Sequence, residues 1–213
     1  MNILILGPQG SGKGTQAKLL SESLRLFYFE AGEFLRGLAK SDKRIDAIVN
    51  KKGDMVPDEE MFNYVVDNLE TKILGSGVLF DGYPRSIKQY ELLKKWLKAK
   101  SQTIDIVFFL DVSDKESIKR LSARRICENC ENVCNLITNP PSKDGVCDRC
   151  GGALVHREDD KPEAIKERLM LYRKFTQPLL AIFKKEGILN KIDGERPIDA
   201  IQDDLFKTVR RVR

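Results

Sequence analysis

Asn2-Ile3-Leu4-Ile5-Leu6-Gly7-Pro8-Gln9-Gly10-Ser11-Gly12-Lys13-Gly14-Thr15 opens the chain and decides how the rest is read. The apolar run Asn2–Leu6 has the length and composition of a buried strand. The glycine-rich stretch 7–15 follows it directly, and Lys13–Leu24 then places Ala17, Leu20 and Leu24 on one helical face. Strand, glycine loop and helix in that order are the setting of a phosphate-binding P-loop. Glycines let the backbone curl until successive N–H groups point inward at phosphate oxygens. The helix beginning near Lys13 brings its positive dipole end to the same place. Gly10, Ser11, Gly12, Lys13, Gly14 and Thr15 are therefore the candidate phosphate cradle. Lys13 would reach the β- and γ-phosphates. Gly14 stands where the motif's hydroxyl normally follows the lysine, which leaves Thr15 as the candidate Mg²⁺-side hydroxyl.

Further apolar runs at Phe27–Phe29, Val78–Phe80, Ile106–Leu110 and Ile188–Ile192 read as strands. Helical patterns fall between them. Asp58–Leu69 carries Met61, Phe62, Val65 and Leu69. Ser113–Arg125 opens with a Ser113/Glu116 capping box. Ala164–Phe183 is periodic with a kink expected at Pro178. Strands alternating with helices predict an α/β fold, a parallel sheet covered on both faces. Two stretches break the alternation. Residues 30–56 hold short helical pieces and several charges, and 126–161 hold all five cysteines without helical periodicity. Both read as inserts on one core, because structureless loops of that length are uncommon in compact domains.

The 213 residues are 41% apolar, enough for a sizeable core. Neither a membrane-length apolar run nor a basic leader with a cleavage site is present, so the reading places the protein in the cytoplasm. The formal charge of +5, from 37 basic and 32 acidic residues, is a mild excess. Where the arginines fall matters more. Phe80-Asp81-Gly82-Tyr83-Pro84-Arg85 ends the Val78–Phe80 strand. An acidic residue there, beside a P-loop, can hold waters around Mg²⁺. Arg36, Arg85, Arg120, Arg124, Arg157 and Arg168 are candidates to grip phosphate, since the guanidinium fork is planar, bidentate and always charged. Arg120 and Arg124 are expected on one face of the helix after Leu110.

Cys127-Glu128-Asn129-Cys130 and Cys147-Asp148-Arg149-Cys150 are two C-x-x-C knuckles. That spacing predicts a closed, structural Cys₄ zinc site with Cys127, Cys130, Cys147 and Cys150 as ligands. The alternatives are a pair of disulfides or, in the same tetrahedron, iron or cobalt. Cys134 reads as a spare thiol that could replace a ligand, and His156, the lone histidine, as a residue of that segment beside Arg157 that could contact the metal.

Taken together, Gly7–Gln16, Gly32–Arg36, Asp81–Arg85 with Gln89, Arg120 with Arg124-Arg125, Arg157 with Asp159-Asp160, and Arg168 resemble the adenylate kinases, within the nucleoside monophosphate kinases. The resemblance implies a P-loop NTPase fold with a five-stranded parallel sheet. It implies a core of 1–29, 57–122 and 161–213, a monophosphate-binding insert at 30–56 and a zinc-bearing lid at 123–160. It implies Mg·ATP + AMP ⇌ 2 ADP. Lys13, Arg120, Arg124, Arg157 and Arg168 would clamp the transferred group, with Arg120 and Arg124 on the ATP side. Arg36 and Arg85 would hold the AMP phosphate, with Arg157 and Arg168 facing it, Gln89 reading the base, and Ala31 and Gly82 lining its site. Asp81 and Thr15 would serve Mg²⁺, partly through water. A monomer acting on small nucleotides is expected.

Ala31 departs from the pattern. Adenylate kinases commonly have a threonine there, and alanine looks more like the UMP/CMP kinases, so a broader acceptor range stays open. A second class of reading is a zinc-ribbon nucleic-acid-binding P-loop protein. The stretch between the knuckles lacks aromatics for base stacking, which counts against it.

Overall fold

The computed structural model describes residues 1–52, 54–70, 77–157 and 160–212. Ile3–Leu6 (β1) is wholly buried, and three further strands are close to it in composition: Phe27–Glu30 (β2), Val78–Asp81 (β3) and Ile106–Asp111 (β4). Leu189–Asp193 (β8) completes one parallel sheet of order β2-β3-β1-β4-β8. Near-continuous apolar strands are what a sheet buried on both faces requires. One core cluster centres on Leu4, Phe80, Tyr83, Leu93 and Phe183, and a second on Ile5, Leu20, Leu79, Phe108 and Leu205. The five-stranded parallel α/β core expected from the sequence is the one present.

Lys13–Leu24 (α1) follows β1. Ala31–Ala39 (α2), Lys43–Asp46 (α3) and a π-helical stretch Ala47–Lys52 follow β2. Asp58–Glu70 (α4) and Ile87–Ala99 (α5) flank β3. Asp114–Ser122 (α6) follows β4. Three short strands then form a separate antiparallel sheet of order β6-β5-β7: Arg124–Cys127 (β5), Val133–Asn135 (β6) and Leu154–Val155 (β7). Pro162–Leu171 (α7), Leu179–Lys185 (α8) and Ile198–Val212 (α9) complete the chain. No helix of the described residues is long and apolar enough to cross a membrane.

Two expectations need correction. The helix expected over Ser113–Arg125 stops at Ser122, so Arg120 lies on α6 and Arg124 on β5, and they do not share a helical face. The cause is pairing: Leu136 N–H bonds the Ala123 carbonyl at 3.0 Å, and the Asn135 amide bonds the Arg120 carbonyl at 2.7 Å. The strand partner thus takes carbonyls that a longer helix would have used. The single kinked helix over Ala164–Phe183 is α7, a π-helical stretch Tyr172–Thr176 and α8, with Pro178 as the N-cap of α8. Its ring is suited to a helix start and unsuited to an interior.

Candidate functional site

Strands β1, β3 and β4 end at one edge of the sheet, where the doubly wound topology opens a crevice. Gly10 and Gly12 in the loop after β1 have φ of 80° and 85°, backbone that L side chains rarely adopt. A Cβ on Gly10 would also lie 2.8 Å from the Ser117 carbonyl of α6. Glycine is therefore required there by conformation and by close approach. Gly12 is the N-cap of α1, with no side-chain cap on the first-turn amides. Those amides remain donors for an anion.

A cleft of about 980 Å³ opens over this loop. Gly10, Ser11, Gly12, Lys13, Gly14 and Thr15 line it, as do Arg36, Asp81, Gly82, Arg85, Arg120, Arg124, Arg157 and Arg168. Residues from β1, β3, α2, α6, α7 and the antiparallel sheet thus converge on one space. A narrower branch is lined by Ala31, Leu35, Val49, Val56, Met61, Gly82, Arg85, Gln89 and Arg168. Its walls mix apolar side chains with Gln9, Gln89, Thr176 and the arginines, a combination that suits a flat base attached to a phosphate.

Side-chain bonds pre-set several of these cations. Arg85 Nε donates to the Gly82 carbonyl at 2.8 Å, and the Arg85 N–H donates to Gln89 Oε1 at 2.8 Å. Gln89 Oε1 is thereby occupied, and the residue lines the branch. Arg120 donates to Glu116 Oε1 and to the Gly194 carbonyl, both at 2.8 Å. Arg124 Nε donates to Asp160 Oδ2 at 2.7 Å, and Arg168 Nη1 donates to Asp160 Oδ1 at 3.4 Å. Asp160, wholly buried at its side chain, therefore holds one arginine of the antiparallel sheet and one of α7. Asp159 lies outside the described residues.

The electrostatics ask for an anion. Burial pushes the Lys13 ammonium down to about 8, with Asp81 opposing and Arg85, Arg168 and Arg124 adding to the fall. Burial, then Arg168, likewise lowers Arg85. Burial raises Asp81 to about 6 against the pull of Lys13. Cations that repel one another in a cleft are stabilised by a polyanion placed between them.

The four knuckle cysteines meet. Their sulfurs lie within 4.8 Å of one another, with Cys127–Cys150 at 3.4 Å and Cys130–Cys147 at 3.7 Å. A Zn–S bond of ~2.3 Å gives a tetrahedral edge of about 3.8 Å, so the set fits such an ion. All five cysteines are free, and the Sγ–Sγ separations suit a shared ion better than disulfides. Cys134 is buried on β6 and stands outside the set, and His156 is exposed. Lys40 at the end of α2 donates to Glu131, the residue after the first knuckle, at 2.8 Å.

Sequence reasoning named Asp160 only within the Arg157 motif and gave it no role, and it did not single out Glu116, Tyr28 or Glu30 as site residues. All four act through other side chains.

The family model described as adenylate kinase matches residues 5–188. The adenylate kinase of Methanothrix thermoacetophila is 41% identical over 214 residues, covering 99% of each chain. That of Thermosipho africanus is 37% identical, covering 99% of this chain and all of its own. That of Archaeoglobus fulgidus is 36% identical, with both chains covered in full. With a P-loop on a five-stranded parallel sheet, an arginine-lined cleft and this likeness along its whole length, the chain belongs to the adenylate kinase family.

Proposed function

We propose that the protein catalyses reversible phosphoryl transfer, Mg·ATP + AMP ⇌ 2 ADP, at the cleft over the P-loop. The observation that carries this reading is the convergence of Lys13 and six arginines from separate elements on one space beside a base-sized branch. ATP would lie along the Gly10–Thr15 cradle, with Arg120 and Arg124 on its phosphates. AMP would enter the narrower branch, with Arg36 and Arg85 on its phosphate, Gln89 against its base, and Ala31 and Gly82 as its floor. The γ-phosphoryl P–O bond to ADP breaks as a bond to an AMP phosphate oxygen forms. Lys13, Arg124, Arg157 and Arg168 hold charge on the moving group, and little proton chemistry is required. Mg²⁺ arriving with ATP supplies charge neutralisation at the phosphates, and Thr15 and Asp81 are the residues to hold it, partly through water. The unpartnered, buried Asp81 Oδ1 fits that use.

In this reading residues 30–56 form the acceptor insert, and 123–160 form a lid that excludes water during transfer. Structural Zn²⁺ on Cys127, Cys130, Cys147 and Cys150 orders the lid. Free thiols suit a reducing compartment, and we place the enzyme in the cytoplasm as a monomer acting on free nucleotides, not on nucleic acid. One observation favours a broader acceptor range: Ala31 offers only a methyl group to the branch. Coupled phosphotransfer with Mg·ATP and AMP, CMP, UMP or GMP in parallel tests both. Turnover with AMP far above the others is expected. Comparable turnover with pyrimidine monophosphates would move the assignment to a UMP/CMP-type kinase, and no turnover with any would overturn it.

A further inference from the structure

β2 and β3 run side by side with Glu30 opposite Asp81, so two carboxylates stand abreast at the carboxyl edge of the sheet. Like charges in that register are unfavourable. Period-two alternation puts Tyr28 on the same face as Glu30, two residues back along β2. Its hydroxyl reaches between the pair, 3.1 Å from Asp81 Oδ2 and 3.2 Å from Glu30 Oε2. A phenol has one proton to give. Burial, with the two carboxylates adding, raises Tyr28 above its ordinary value, so it remains a donor.

The two acceptors are not equivalent. Glu30 also has Arg36 Nη2 at 3.4 Å. Asp81 is buried, its Oδ2 has Tyr28, and its Oδ1 has no hydrogen-bond partner. The Tyr28 ring packs against the second core cluster. Helix α1 closes the other side: a Cβ on Gly14 would sit 3.4 Å from Asp81 Oδ2 and 3.9 Å from the Tyr28 hydroxyl. Ring, hydroxyl and helix together pin Oδ2 and leave Oδ1 as the free oxygen.

We infer that Tyr28 is a positioning residue of the cation site: its hydroxyl ties Asp81 Oδ2 and turns Oδ1 toward the divalent ion that accompanies the nucleotide. The inference rests on the phosphotransfer reading, and names a residue of this chain that acts through Asp81 without touching nucleotide. Partners that orient a ligand from behind typically matter 10–100-fold in metal affinity.

The test is Mn²⁺ binding to the full-length protein saturated with ADP, read from the free-ion paramagnetic resonance signal. Tyr28→Phe is expected to weaken Mn²⁺ at least ~10-fold. ADP affinity in chelator should stay within about twofold, and a thermal melt shows that the variant is folded. In an Asp81→Asn background the same substitution should change Mn²⁺ affinity less than about twofold, because non-additivity marks action through the shared partner. Glu30→Gln leaves the Tyr28 proton to Asp81, and is expected to bind Mn²⁺ as tightly as wild type or more tightly. Equal binding by Tyr28→Phe and wild type would overturn the inference. So would an undiminished effect in the Asp81→Asn background, or weakened binding by Glu30→Gln if Tyr28→Phe does not fold. Phosphotransfer by the wild-type preparation is measured alongside. Its absence would defeat the phosphotransfer reading, whereas its presence with unchanged Mn²⁺ binding would defeat the role of Tyr28 alone.

Discussion

Stripping the metal from the four-cysteine site should disable phosphoryl transfer while leaving the core folded. Between residues 124 and 155 the buried apolar side chains are Cys127, Cys134 and Cys147. Ile126, Val146, Leu154 and Val155 are half-buried, and Val133, Leu136 and Ile137 are exposed. Full burial of one aliphatic side chain contributes about 1.5–3 kcal/mol, so four half-buried ones supply roughly 3–6 kcal/mol. Metal binding at a structural Cys/His site contributes ~10–16 kcal/mol in small domains. An ion held by the four cysteines would therefore stabilise this segment more than its apolar side chains do, and the three short strands should not persist without it. Neither of the two main core clusters includes a residue from 124–155. Every helix likewise lies outside that segment. After the metal proposed there is displaced with a mercurial and chelated, far-UV circular dichroism should keep its helical signal, and proteolysis should open at 127–150. Phosphotransfer should fall at least ~10³-fold, the range in which an arginine supplied to a transferring phosphoryl group acts, because Arg124 and Arg157 lose their placement. Metal-free protein within tenfold of full activity would refute the reasoning. Loss of the helical signal at the same chelator concentration would refute it too, by showing that the ion supports the core.

Asp160→Asn removes the charge that holds Arg124 and Arg168, and should lower kcat ~10–100-fold with KM for either nucleotide changed less; steady-state kinetics check the split. Glu131 adopts φ of 56°, where a non-glycine residue costs about 1 kcal/mol. Its pair with Lys40 is exposed and contributes ~0–1 kcal/mol. Glu131→Gly should therefore be neutral or stabilising in thermal melts, whereas Lys40→Ala should not stabilise. Burial raises Glu186, but bonds from Lys94 and Tyr90 outweigh it and hold the carboxyl below its usual value. A depressed folded pKa gives stability present above the unfolded value and lost as pH falls through the folded one. Denaturant unfolding of Glu186→Gln should thus show a deficit of up to about 1 kcal/mol at pH 7 that fades below about pH 4.

The P-loop was legible because its information is local: glycines at fixed offsets between a strand and a helix dictate the cradle. The sheet was legible because buried parallel strands need unbroken apolar runs such as Leu4–Leu6 and Val107–Leu110. Helix α5 was passed over although Ser86 caps it, accepting from the Gln89 N–H, and Tyr90, Leu93 and Leu97 give it a buried face. The same holds for α9, where Ile201, Leu205 and Val209 recur at intervals of four. Those signals were present and unread. The end of α6 was different in kind. Nothing between Ser113 and Arg125 stops a helix, and the terminator is Asn135 and Leu136, ten and more residues later. The Asp160 clamp was hidden for the same reason, since it joins Arg124 to Arg168 across separate elements.

The same cleft explains why a fold would tolerate such an arrangement. Lys13 and Arg85 are both pulled below their ordinary values by burial and by neighbouring guanidinium groups, while Asp81 is pushed up. Each shift is free energy that these buried, mutually repelling charges withhold from stability. Asp160 pairs with Arg124 and Arg168, and Glu116 with Arg120, whereas Asp81, itself raised, is the carboxylate that opposes the fall at Lys13. A triphosphate in the cradle supplies that missing charge and converts mutual repulsion into attraction. The gain is available only when segments as far apart as β5, α2 and α7 stand together around the anion. If 30–56 and 123–160 close over nucleotide as proposed, occupancy would favour closure through these charges, and the contact from Lys40 to Glu131, exposed and weak, is suited to form and break with it.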